Sequence, residues 1–76
     1  MKELLEYILN GIYGKDFRIE ERSENGLIHY IILVPQNDIG LIIGKQGKTI
    51  KAIRNLLKVR ATLEKKGVTL SVEPLA

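Results

Sequence analysis

Cysteine and tryptophan are absent from the 76-residue sequence, and its aromatic residues are one phenylalanine and three tyrosines. The lack of cysteine excludes a disulfide framework and a thiolate metal site. The longest uninterrupted apolar run, Tyr30 to Val34, is far shorter than the roughly 20 residues of a membrane-spanning helix. The N-terminal segment has no hydrophobic region typical of a signal peptide. We therefore expect a cytoplasmic protein consisting of one small domain, residues 1–76.

Few groups in the sequence could support catalysis. His29 is the single histidine, and no carboxylate or second histidine lies beside it, so it is more typical of a satisfied structural residue than of a base or metal ligand. Gly47-Lys48-Thr49 resembles the end of a P-loop, but the position that must be glycine, 42, is isoleucine. The P-loop also needs a preceding strand, and a short helix is predicted there. We expect no enzyme, no cofactor and no metal site.

Charge is unevenly distributed along the chain. The net charge is +3, yet residues 1–41 hold four basic and seven acidic residues. Residues 42–60 contain no acidic residue, and their six basic residues are Lys45, Lys48, Lys51, Arg54, Lys58 and Arg60. A basic segment of this kind favours a face that meets a polyanion. The cluster alone is equally compatible with a solvated helix face, the more so for Lys58 and Arg60.

The periodicity of apolar residues predicts the order α-β-β-α-α-β. Helical spacing, period-two alternation and turn residues set the bounds of each element. A continuous apolar strand, such as 27–34, is typical of the centre of a sheet. We expect an α+β domain with a three-stranded mixed sheet and its helices packed on one face. The predicted elements are helices at about 2–12, 38–43 and 48–63, and strands at about 17–22, 27–34 and 68–73.

A short loop between the last two predicted helices, Gly44-Lys45-Gln46-Gly47, is the best candidate for a binding site. Glycine has no Cβ, so the backbone can approach a ligand closely. The helix that follows begins at the loop, and its free N–H groups and dipole attract phosphate. Lys45 and Lys48 add positive charge at the same place, and Lys51 and Arg54 continue it along the helix.

The segment Ile42 to Ile50 resembles the signature of KH domains, whose GXXG loop clamps the backbone of about four nucleotides. With its element order, the chain is similar over nearly its full length to type II, prokaryotic KH domains, and in particular to small bacterial single-KH proteins of the KhpA type. The resemblance implies a non-catalytic protein that binds single-stranded RNA and acts as a post-transcriptional or ribosome-related regulator or chaperone. It leaves single-stranded DNA open as a further ligand.

The resemblance also implies roles for particular residues. Gly44 and Gly47 would shape the loop, while Lys45 and Gln46 would contact phosphate. Ile43 and Ile50 would line an apolar groove for bases, with the last strand as its other wall, although plain core packing explains both residues equally well. The implied RNA-binding set is Gly40, Ile43, Gly44, Lys45, Gln46, Gly47, Lys48, Ile50, Lys51 and Arg54.

The chain has no aromatic residue near the loop, so stacking of bases on aromatic rings is not the expected mechanism. A protein-interaction module is the alternative function. The resemblance permits a homodimer, or a heterodimer with a larger KH-containing RNA-binding protein.

Overall fold

The computed structural model describes residues 1–75 and has the element order that the sequence predicts, α-β-β-α-α-β. Two short 3₁₀ turns, Gln36–Asp38 and Lys45–Gly47, were not predicted and flank the second helix. The helices and strands are α1 (Lys2–Ile12), β1 (Arg18–Glu24), β2 (Leu27–Val34), α2 (Ile39–Ile43), α3 (Lys48–Leu63) and β3 (Gly67–Pro74).

Each long helix has one apolar side that turns towards the sheet. Leu5 and Leu9 of α1 are fully buried, and α3 buries Ile53, Leu57 and Ala61. These residues recur every four positions, which keeps them on one side of a helix. Helix α1 ends where Gly14, with φ of 71°, donates its N–H to Leu9. A glycine with positive φ directly after a helix is a common way to end it.

The sheet has the strand order β1-β2-β3. Strands β1 and β2 are antiparallel and joined by a tight turn, in which Asn25 and Gly26 have φ of 50° and 81°. Positive φ at both central residues is typical of a type I′ hairpin turn. Strand β3 pairs parallel to β2, and the crossover between them consists of α2, the glycine loop and α3. The predicted mixed sheet with β2 at its centre is confirmed.

The hydrophobic core lies between the helices and one face of the sheet. Strand β2 supplies Ile28, Tyr30, Ile32 and Val34 to it, and all four are at most 6% exposed. The alternate residues of β2 face the other way, and Ile31 among them is 5% exposed without joining the core. Apolar residues on both faces explain why β2 takes the central position.

His29 lies on the outer face of the sheet, beside β3. Its Nδ1 atom is within hydrogen-bond distance of Thr69 Oγ1, and its Nε2 atom is 3.3 Å from Ser71 Oγ. Both ring nitrogens therefore have a hydroxyl partner. This agrees with the prediction that His29 is a satisfied structural residue.

Candidate nucleic-acid interface

The loop between α2 and α3 is a tight turn built on positive backbone angles. Gly44 has φ of 78° and ψ of 173°, Gln46 has φ of 57° and Gly47 has φ of 76°. The Gly44 N–H donates to the Gly40 carbonyl at 2.9 Å, and the Gly47 N–H donates to the Gly44 carbonyl at 3.1 Å. The turn thus joins α2 to α3 within four residues, and Lys45 and Gln46 are exposed at its tip.

Glycine is favoured at positions 44 and 47 for different reasons. A Cβ on Gly44 would lie 2.3 Å from Thr49 Oγ1, 2.7 Å from Thr49 Cβ and 2.8 Å from Thr49 N. A Cβ on Gly47 would meet nothing nearer than 3.9 Å. Gly44 therefore lets the loop pack directly on the first turn of α3, while Gly47 is favoured by its left-handed conformation alone.

Positive charge surrounds the beginning of α3. No side chain caps the helix at Gly47. The Lys48 N–H donates to the Lys45 carbonyl, so the amides that follow it in the first turn are the ones that suit an external acceptor. Lys45, Lys48 and Lys51 are exposed and Arg54 is half-buried. Within residues 1–75 none of these four cations forms an ion pair. The helix dipole and the unpaired cations together suit a phosphate group at this position.

The predicted groove would lie where α2 and α3 face β3. Strand β3 packs against both helices. Ile43 is 37% exposed and lies outside the core, whereas Ile50 is half-buried and packs against it. Core packing thus describes Ile50 better than Ile43. Gly40 is exposed on α2, and no atom lies within 4 Å of the position of a Cβ there, so packing within the chain does not require glycine at this position.

Further along α3, a cavity of about 270 Å³ lies between this helix and β3. Arg54 and Lys58 come to it from α3, and residues 68–70 come from β3. Lys58 is exposed, as the sequence predicts, and it also lines this cavity beside Arg54. The helical spacing of four residues between the two was the signal that could have linked them. Arg60 instead forms an ion pair with Glu64 at 3.0 Å, as a surface residue does.

A polar contact holds the N-terminal side of α2 in place. The Tyr13 hydroxyl donates to Asp38 Oδ2 at 2.5 Å, and Lys15 Nζ lies 3.9 Å from the same oxygen. The hydrogen bond to Asp38 is the main cause that raises the pKa of Tyr13 to about 12. Asp38 occupies the N-cap position of α2, where its carboxylate could accept from the first amides of the helix. Its side chain makes no cap hydrogen bond because it accepts from Tyr13 instead.

A second surface of α3 carries exposed apolar side chains. We call the residues Leu56, Val59 and Leu63 the α3 stripe; they are 54%, 65% and 76% exposed. Steps of three and four residues place them on one side of the helix. At about 3.6 residues per turn, that side is distinct both from the core side and from the side that bears Arg54 and Lys58.

No helix in residues 1–75 is long and apolar enough to span a membrane.

Comparison with known proteins gives consistent matches over most of the chain. The family model described as "KhpA/KhpB, KH domain" matches residues 2–72. The chain is 42% identical over 74 residues to the RNA-binding protein KhpA of Chlamydia pneumoniae, with 95% of each chain covered. It is 35% identical over 74 residues to the protein of that name from Halalkalibacterium halodurans, covering 95% of this chain and 97% of the relative. Identity to the Thermotoga maritima KhpA is 46% over 59 residues, which covers 75% and 79% of the two chains.

Proposed function

Because the chain belongs to the KhpA/KhpB family of KH domains, we propose that it is a non-catalytic protein that binds single-stranded RNA. The observation that carries this proposal is the loop Gly44–Gly47, which packs on the uncapped beginning of α3 among unpaired lysines. The relatives are named for RNA binding, which supports the same assignment. The function would be that of a single KH domain in RNA metabolism, as a post-transcriptional or ribosome-related regulator or chaperone.

In this mechanism the nucleic acid backbone rests on the loop. Phosphates accept hydrogen bonds from the first amides of α3, and Lys45 and Lys48 neutralise their charge. Gln46 extends from the tip of the loop as a further polar contact, and Lys51 and Arg54 follow the chain along the helix. Bases enter the groove, where Ile43 offers exposed aliphatic surface.

The expected specificity is limited. Aliphatic surface can bury the face of any base, but it cannot read hydrogen-bonding edges. Most of the affinity would therefore come from the backbone, and single-stranded DNA would bind as well unless a contact to the 2′-hydroxyl discriminates against it.

The decisive variant is Lys45→Asp combined with Gln46→Asp. Both side chains are exposed, so the fold should be kept, while the loop becomes repulsive to phosphate. A matched control, Asn25→Asp with Lys66→Asp, makes the same change in net charge at exposed positions of the hairpin turn and the α3–β3 connection. Fluorescence anisotropy with an unstructured oligoribonucleotide should show loss of binding for the loop variant and near-normal binding for the control. Normal binding by a folded loop variant would disprove the loop assignment.

The salt dependence of binding provides an independent test. If about two to four phosphates are neutralised, the logarithm of the association constant should fall with the logarithm of salt concentration with a slope of about −1.4 to −2.8 on single strands. An affinity that does not change with salt would contradict a site built on lysines and helix amides.

The α3 stripe favours a second candidate function, protein association. Three large apolar residues exposed on one helix side are unusual for a surface that meets only water. The occupant would be a second copy of the chain or a larger KH-containing RNA-binding protein. Sedimentation velocity of the pure protein and of a Leu56→Glu, Val59→Glu variant distinguishes the two. If the wild type is a dimer and the variant is a monomer, the result supports self-association through the stripe. If the wild type is a monomer at every concentration, self-association is excluded.

A further inference from the structure

Strand β1 is an edge strand with alternating charges along one face. Arg18, Glu20, Arg22 and Glu24 pair with outer-face residues of β2, and all four are exposed. Within residues 1–75 none of them takes part in an ion pair. Charges on an edge strand commonly protect it against aggregation, but protection does not require that the signs alternate.

The free backbone groups of β1 can be assigned from the hairpin. Glu24 and Leu27 close the two-residue turn, and in such a hairpin the closing pair exchanges hydrogen bonds. Every second residue of β1 from Glu24 backwards therefore bonds to β2. The backbone groups of the intervening residues, Ile19, Glu21 and Ser23, point to the open edge of the sheet.

We propose that two copies of the chain pair their β1 strands antiparallel about Glu21, which joins the two sheets into one of six strands. In this register Arg18 lies opposite Glu24 of the second copy, and Glu20 lies opposite Arg22 of the second copy. Each of these oppositions occurs twice because the arrangement is two-fold symmetric. Ile19, Glu21 and Ser23 then supply about six backbone hydrogen bonds between the copies.

The charge pattern selects this register over its neighbours. A shift of two residues in one direction places Arg18 opposite Arg22, and in the other direction it places Glu20 opposite Glu24. Like charges directly opposite one another destabilise a sheet. In the proposed register the ion pairs occupy non-hydrogen-bonded positions, where facing Cα atoms are only about 4.5 Å apart. The sequence of β1 is therefore complementary to itself in one alignment.

Glu21 is the one residue that meets a like charge in this register, since it lies opposite Glu21 of the second copy. It occupies a hydrogen-bonded position, where the Cα atoms are about 5.5 Å apart and the side chains diverge. A cavity of about 450 Å³ beside the first residues of β1, lined in part by Phe17, Arg18 and Lys2, leaves room for the hairpin turn of the second copy. One strand edge is small for an interface, so the dimer should be weak, with a dissociation constant in the micromolar range or above.

Charge exchange provides the first test. Arg22→Glu alone and Glu20→Arg alone each place like charges opposite one another twice, and we expect each to weaken the dimer at least tenfold in sedimentation velocity at low salt. The double variant, Glu20→Arg with Arg22→Glu, restores opposite charges and should regain the wild-type dissociation constant. Lys65→Glu is the control for charge alone. Failure of the double variant to recover, with each single variant still folded, would overturn the register.

A single cysteine provides the second test, because the native chain has none. In Glu21→Cys the two thiols of the dimer would face each other at a Cα separation compatible with a disulfide. In Ser23→Cys the two Cα atoms would be about 13 Å apart, four residues along the strand. Mild oxidation should therefore give a covalent dimer for Glu21→Cys and little for Ser23→Cys. Equal yields from both, or a wild-type protein that is monomeric at millimolar concentration, would refute the pairing.

The β1 edge and the α3 stripe are separable in the same experiments. A Leu56→Glu, Val59→Glu variant should still form the Glu21→Cys disulfide, because β1 is untouched. If the stripe variant abolishes both the dimer and the disulfide, association depends on α3 and the pairing of β1 is wrong. RNA binding is not needed for any of these outcomes.

Discussion

The two glycines of the loop should differ sharply in what an added methyl group costs. Gly44 lies in a region of backbone space that is essentially restricted to glycine, with φ of 78° and ψ of 173°, and occupation by alanine costs about 1–3 kcal/mol. The Cβ would also overlap Thr49 at 2.3–2.8 Å, and overpacking adds about 1–3 kcal/mol. The expected loss for Gly44→Ala is therefore about 2–6 kcal/mol, a large part of the roughly 4–11 kcal/mol available to a domain of this size.

Gly47→Ala should cost much less. Its φ of 76° and ψ of 14° lie in the left-handed helical region, which costs alanine about 1–2 kcal/mol, and no atom lies within 3.9 Å of the new methyl group. Urea denaturation followed by circular dichroism gives both free energies of unfolding. Gly47→Ala should remain folded and so report on the loop in RNA binding.

A double variant examines the origin of the difference. Thr49→Ala removes Oγ1, but the Cβ and backbone N of residue 49 still lie 2.7 and 2.8 Å from the added methyl group. Gly44→Ala with Thr49→Ala should therefore recover only part of the lost stability. The reasoning is refuted if Gly44→Ala is no more destabilising than Gly47→Ala, or if removing Oγ1 restores stability completely.

Two further predictions concern the core and the polar contact beside α2. Leu57 is fully buried and its neighbour Leu56 is 54% exposed. Leu57→Ala should therefore cost about 2–5 kcal/mol of unfolding free energy, and Leu56→Ala at most about 0.5 kcal/mol. Equal costs by urea denaturation would contradict the packing of α3. The raised pKa of Tyr13, about 12, means that its hydrogen bond to Asp38 stabilises the fold fully below the ordinary pKa near 10 and that this contribution disappears as the pH rises through 12. Thermal melts between pH 9 and 12 should therefore show a smaller loss for Tyr13→Phe than for the wild type, and equal losses would exclude the contact as the cause.

The elements of the fold were accessible from the sequence because their signals are local. The apolar run 27–34 and the helical spacing of Ile53, Leu57 and Ala61 each predict an element and the side that it buries, and the structure has both. Asn25-Gly26 fixes the hairpin turn through its backbone angles. These properties depend on residues a few positions apart, which a periodic pattern records directly.

The contacts that complete the candidate site were not accessible in the same way. Tyr13 and Asp38 are 25 residues apart, and no pattern in the sequence indicates that a tyrosine after α1 donates to the carboxylate at the beginning of α2. Likewise, Lys58 follows Arg54 by one helical turn, but only the docking of β3 encloses the space beside them as a cavity. The division between Ile43, which is outside the core, and Ile50, which packs against it, also depends on how α2 docks. Tertiary packing decides all three.

The parallel pairing of β2 with β3 has a consequence for how the chain acquires its site. Leu27 pairs with Gly67 and Val34 with Pro74, so every rung of this ladder closes a long segment that contains α2, the loop and α3. Such distant pairing forms late, after local helices and the hairpin. Strand β3 and the glycine loop would thus reach their final positions together. A ligand that contacts both would stabilise the completed sheet. Oligonucleotide should then raise the melting temperature, and the stabilisation should grow with the logarithm of its free concentration above the dissociation constant.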